Sequence, residues 1–100
     1  MEPELATGSW LVLNFAVWSG SDRIAIQQAV DLGRQFGGEV QVGIRPFDHH
    51  DEIRRWCPEV TETAACPLWI LLCNGACACV VVGMRSDNEL AGLIDGLLGR

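Results

Sequence analysis

Apolar positions along the chain fall into runs of two different periods. Trp10 to Val17 (WLVLNFAV) is almost continuously apolar and rich in β-branched and aromatic residues, the composition of a strand buried on both faces. The segment that follows changes period. Ser19-Gly20-Ser21-Asp22 supplies helix N-cap residues, and Ala25, Ala29, Leu32 and Phe36 then recur at spacings of three and four, flanked by Ile26 and Val30. Gly37-Gly38 ends that helix, because glycine readily takes the left-handed conformation at a helix terminus. Glu39 to Ile44 (EVQVGI) alternates apolar and polar and predicts a second strand. Asp51 to Cys57 reads as a short helix closed by Pro58.

The second half carries the sharpest local pattern. Leu68–Cys73 and Ala76–Val82 are apolar runs joined by Asn74-Gly75, a pair that supplies the positive φ angles of a type I′ turn. A two-residue hairpin sets Cys73 opposite Ala76 and Leu72 opposite Cys77. Simple alternation then puts Cys77 and Cys79 on one face. Ser86-Asp87-Asn88-Glu89 is a capping box, and Leu90, Leu93, Ile94, Leu97 and Leu98 form the apolar stripe of a final helix ending near Gly99. Strand, helix, strand, short helix, hairpin, helix makes a βαβ unit followed by an antiparallel hairpin. The fold class is therefore α/β: one domain over residues 10–100, with a mixed central sheet flanked by helices on both faces and a loose lead-in over residues 1–9.

Composition narrows the functional classes. One hundred residues, 49% of them apolar, suffice for a single core without metal or disulfide staples. A formal charge of −6, from 13 acidic and 7 basic residues, opposes binding to nucleic acid or anionic lipid. No segment has the length of a membrane span, and the acidic start (MEPELATGSW) lacks the pattern of a secretory leader, so a cytoplasmic location is expected. Five cysteines, an odd number in a reducing compartment, predict free thiols rather than a disulfide framework.

The order of elements and several strings resemble the thioredoxin family, from about Trp10 to the C-terminus. Leu13-Asn14-Phe15-Ala16-Val17-Trp18 is similar to the family's first core strand running into its tryptophan, with either Leu13 or Asn14 at the position of the family's buried acid. Trp18-Ser19-Gly20-Ser21-Asp22-Arg23 stands where the family has Trp-Cys-Gly-Pro-Cys-Lys. Cys66-Pro67 matches the family's cis-proline, Asn74-Gly75 its hairpin turn, and Gly83 the glycine lining the substrate groove. The resemblance implies a thioredoxin-like fold without the catalytic dithiol. Relatives that have lost the dithiol, such as phosducin-like proteins and hydrogenase-assembly chaperones, are largely adaptors or chaperones. By that resemblance the binding residues are Trp18, Ser19, Gly20, Ser21, Asp22, Cys66, Pro67 and Gly83, holding a protein partner such as an extended peptide.

The chemistry left to these residues is limited. Disulfide exchange needs a thiolate attacker and a resolving thiol, and serine supplies neither at neutral pH. A Ser19–Asp22 pair without a histidine lacks the general base of a hydrolase; the simpler reading is a cap and a dipole complement for the helix. The expectation is a redox-inactive domain with no catalytic residue, no cofactor and no metal. The alternative is a thiol-disulfide oxidoreductase using Cys66, close to a helix N-terminus that lowers a thiol's pKa, with Cys57 as resolving thiol. Cys77 and Cys79, as a Cys-X-Cys pair, fall short of the four ligands of a closed zinc site and read as apolar filler. His49 and His50, beside Asp48 and Asp51, have no partner at helical spacing and read as a solvated loop. Trp18, Trp56 and Trp69 are candidates for an aromatic rim.

Overall fold

The computed structural model describes residues 7–15, 20–46 and 67–99. Within them β1 (Ser9–Phe15) leads to α1 (Gly20–Phe36), β2 (Gln41–Pro46), β3 (Leu68–Cys73), β4 (Ala76–Val82) and α2 (Asp87–Leu97). The four strands form one mixed sheet in the order β2-β1-β3-β4. β1 runs parallel to β2 and antiparallel to β3, and β3 runs antiparallel to β4. The two strands with the most continuous apolar runs are thus the two central ones. Leu11, Val12 and Leu13 of β1 and Leu68 to Leu72 of β3 are all buried, as a strand covered on both faces requires.

Two apolar clusters lie on opposite faces of this sheet. The larger joins Leu11, Leu13, Trp69 and Leu71 to Ala25, Ala29, Leu32 and Phe36 of α1 and to Leu90 and Ile94 of α2. Both described helices pack on that face. The helical stripe foreseen for α1 is the buried one, and Gly37 closes the helix with a left-handed φ of 54° and an N–H to the Gly33 carbonyl at 3.2 Å. Ser86 caps α2, its hydroxyl accepting from the Glu89 N–H at 3.2 Å. The second cluster holds Val12, Leu68, Ile70 and Leu72, with Trp10, Cys77 and Val80 packed against them. The expected short helix over Asp51–Cys57 lies outside the described residues.

Two sequence expectations need correction. β2 runs over Gln41–Pro46 rather than Glu39–Ile44, because the chain is still leaving α1 at Glu39, whose N–H bonds to the Phe36 carbonyl at 3.0 Å. Cys77 and Cys79 do not share a face. Leu72 pairs with Cys77 as expected, but Leu71 pairs with Cys79, leaving Ala78 as the extra residue of a β-bulge. A bulge inserts one residue and reverses the facing of those beyond it. Cys77 therefore packs in the second cluster and Cys79 against the helices.

Candidate functional site

Strand register assembles one end of the molecule. Phe15 pairs with Pro46, Asn14 with Leu68, and Leu68 with Val82. The C-terminal ends of β1, β2 and β4 thus meet the start of β3, and α1 begins five residues after β1 leaves the sheet there. Pro67 and Gly83 are joined directly, the Gly83 N–H donating to the Pro67 carbonyl at 2.8 Å. Gly83 has φ +90°, which an L side chain rarely adopts, so glycine lets the chain turn out of β4 while keeping that bond. Its carbonyl accepts from the Trp69 indole N–H at 3.2 Å. Trp69 is wholly buried and is not part of a rim.

Of the residues expected to form the groove, Gly20, Ser21 and Asp22 lie in the first turn of α1 at this end, together with Pro67 and Gly83. Asp22 is 1% exposed, so it is a packed side chain under the turn rather than a solvated one. Trp18, Ser19 and Cys66, and with Cys66 the peptide bond to Pro67, lie outside the described residues. So do Cys57, Trp56 and the Asp48–Asp51 cluster with its two histidines. Between the two candidates for the buried acid position, register separates the roles. Leu13 faces α1 in the larger cluster, while Asn14 faces the other way, is fully buried, and has no hydrogen-bond partner for either amide atom among the described residues.

The sequence reading missed an apolar rim around the same end. Val82 and Met84 flank Gly83 and are 39% and 44% exposed, and Ile24 is 58% exposed. Gln28, one turn beyond Ile24 on α1, donates to the Arg85 carbonyl and to Asp87 Oδ1, both at 2.8 Å. That link brings the Ile24 flank of α1 beside the Met84–Arg85 segment. A groove of about 400 Å³, lined by Val80, Val82, Arg85, Glu89 and Leu93 among others, continues the rim between β4 and α2. Ile24 was legible as an apolar residue off the helical stripe; Val82 was the last residue of the expected Ala76–Val82 strand, and Met84 carried no assignment.

Cysteine chemistry also departs from expectation. Cys73 and Cys79 are free, but Cys77 is disulfide-bonded. A chain with an odd number of cysteines still has room for one bridge. With Cys77 bonded and facing away from Cys79, the two do not act together as a Cys-X-Cys ligand pair. Among the described residues no three His, Cys, Asp or Glu side chains gather where a metal ion would sit, and no helix is long and apolar enough to cross a membrane.

No family model matches the sequence, and no curated protein matches it. Solved structures do. A mutant thioredoxin from Halobacterium salinarum NRC-1 superposes with a TM-score of 0.75 at 18% identity, over 93% of this chain and 77% of that one. A structure described as that of a malarial protein superposes with a TM-score of 0.71 at 20% identity, over 90% of this chain and 97% of the other. Likeness at such identities speaks to architecture and not to activity. Sheet order, the βαβ unit, the Asn-Gly hairpin and these superpositions together establish that the chain has a thioredoxin-like fold.

Proposed function

We propose that this domain is a redox-inactive adaptor or assembly chaperone of the cytoplasm that holds an extended segment of a protein partner at the Pro67–Gly83 end. The observation that carries the reading is the exposed apolar rim of Ile24, Val82 and Met84 around that end. Large exposed apolar side chains grouped together are a feature of interaction surfaces. The residues standing at the dithiol positions, Ser19 and Asp22, have no thiol chemistry, and a packed Asp22 supports a structural role for the helix start. Backbone beside Pro67 offers pairing to an added strand, with Trp18 as aromatic anchor and Gly20, Ser21 and Cys66 in the wall. The net charge of −6 favours a neutral or basic segment.

The experiment selects binding peptides from a displayed library of unstructured segments and measures their affinity for purified variants. Trp18→Ala and Met84→Asp should each weaken binding by about 1–3 kcal/mol, a 5- to 150-fold loss, while circular dichroism and Tm stay unchanged. Cys73→Ser, at the far end of β3, should change nothing. Loss of binding in Cys73→Ser with none in the other two would move the site to the hairpin and defeat the proposal.

A further inference from the structure

The two edges of the sheet differ in chemistry. β2, at one edge, ends in Arg45 and Pro46, a charge and a residue without an N–H, which discourage pairing with a further strand. β4, at the other edge, reads ACACVVV, with neither charge nor proline, and among the described residues no strand pairs with its outer side. The bulge at Ala78 interrupts that edge and leaves Cys79–Val82 as the stretch open to pairing. Beside it a furrow runs between β4 and α2. One depression, of about 400 Å³, is lined by Val80, Val82, Asn88, Glu89 and Gly92 among others. A second, of about 200 Å³, is lined by Ala78, Cys79, Gly96 and Leu97 among others. Leu93 borders both, so the two follow one another. A side chain at Gly92 or Gly96 would meet nothing within 4 Å of its Cβ, so both glycines open the furrow and no neighbour requires them. They are four residues apart on one helix, a rise of about 6 Å. Alternate side chains of a strand, at about 3.3 Å per residue, recur at about 6.6 Å.

We propose that β4 and α2 form a docking surface for an extended basic segment of a partner protein, which adds as a fifth strand outside β4 and seats alternate apolar side chains in the two depressions. Main-chain hydrogen bonds to Cys79–Val82 supply the affinity, and the depressions supply the selectivity. Charge chooses the occupant. From Ala76 to Leu97 the chain has one basic residue, Arg85, and three acidic ones, Asp87, Glu89 and Asp95. Arg85 lies 3.5 Å from Glu89, so the surplus is acidic. A second copy brings the same surplus against it, and with it a whole-chain charge of −6. A segment whose apolar residues alternate with lysine or arginine meets it with the opposite sign. Val82 borders both this surface and the Pro67–Gly83 end, but occupancy here does not require a segment there.

The test titrates a capped synthetic peptide, Lys-Val-Lys-Val-Lys-Val-Lys, into the full chain at low salt, with calorimetry for affinity and hydrogen exchange for location. The peptide should bind and slow exchange across Cys79–Val82, and its counterpart with glutamate in place of lysine should bind about tenfold more weakly or not at all. Gly92→Leu and Gly96→Leu should each lower the affinity about tenfold or more. Their Tm should be unchanged or raised, because leucine fills the furrow and is a better helix former than glycine. Equal binding of the basic and acidic peptides, parental affinity in both glycine variants, or exchange across Cys79–Val82 that the peptide leaves unchanged overturns the proposal. So does a loss in Ile24→Asp with none in the glycine variants, which moves the peptide to the Pro67–Gly83 end. A chain that sediments as a dimer and becomes monomeric on Gly92→Leu also overturns it, since a second copy then holds the surface.

Discussion

Replacing Asn14 by valine should stabilise this protein, which is an unusual outcome for a fully buried position. Asn14 lies on central strand β1 between Arg45 of β2 and Leu68 of β3, is 0% exposed, and leaves both amide atoms without a hydrogen bond among the described residues. A buried polar group without a partner costs about 1–3 kcal/mol, because the hydrogen bonds it made to water in the unfolded chain are not replaced. Valine removes that cost, adds β-branching suited to a strand, and is close enough in volume to avoid overpacking. The expected gain is about 1–3 kcal/mol. For a domain of this size each kcal/mol moves Tm by about 4–8 °C, so the upper half of that range is on the order of 10 °C. Urea unfolding followed by circular dichroism measures it, with a higher midpoint and an unchanged slope as the signature of a pure stability change. A valine variant less stable than the parent by 1 kcal/mol or more would refute the reasoning. It would mean that the amide is satisfied, for instance by a buried water with two or more polar neighbours.

Two further predictions address the site and the last helix. Purified protein should not accelerate reduction of insulin by dithiothreitol above a cysteine-free variant, since Ser19 and Asp22 supply neither an attacking nor a resolving thiol; turnover above that control would point to Cys66. Ser86→Ala should cost about 1 kcal/mol in the same urea experiment, because its hydroxyl is the acceptor for the Glu89 N–H; no change would mean that water replaces the cap.

The parts of this protein that its sequence determines are those governed by local chemistry. Asn74 and Gly75 have φ of 50° and 83°, a conformation that asparagine tolerates and that glycine, lacking a Cβ, adopts at no steric cost. The α1 stripe and the Ser86 cap follow from helical period and from unpaired N–H groups in the first turn. The continuous apolar runs of β1 and β3 marked them as central strands. Of the site, Pro67 and Gly83 were legible as a pair only through family resemblance, and the hydrogen bond between them supplies the physical reason.

Tertiary structure decided whatever depends on which strands meet and in what register. The start of β2 at Gln41 follows from its pairing with Trp10 of β1 and from a helix exit that uses Glu39. Nothing in ACACVVV announces a bulge at Ala78, since every one of those residues is apolar and suits either face. The facing of Cys77, half-buried on the side away from α1, is fixed only when β4 pairs with β3. Likewise Leu13 and Asn14 are adjacent in sequence but are divided by the sheet, one packed beneath a helix and the other aimed into the opposite cluster. The apolar rim of Ile24, Val82 and Met84 forms where α1 meets the Arg85–Asp87 turn, a junction that Gln28 ties by two hydrogen bonds. Ile24 is far along the chain from Val82 and Met84, and no local pattern in either segment encodes their approach.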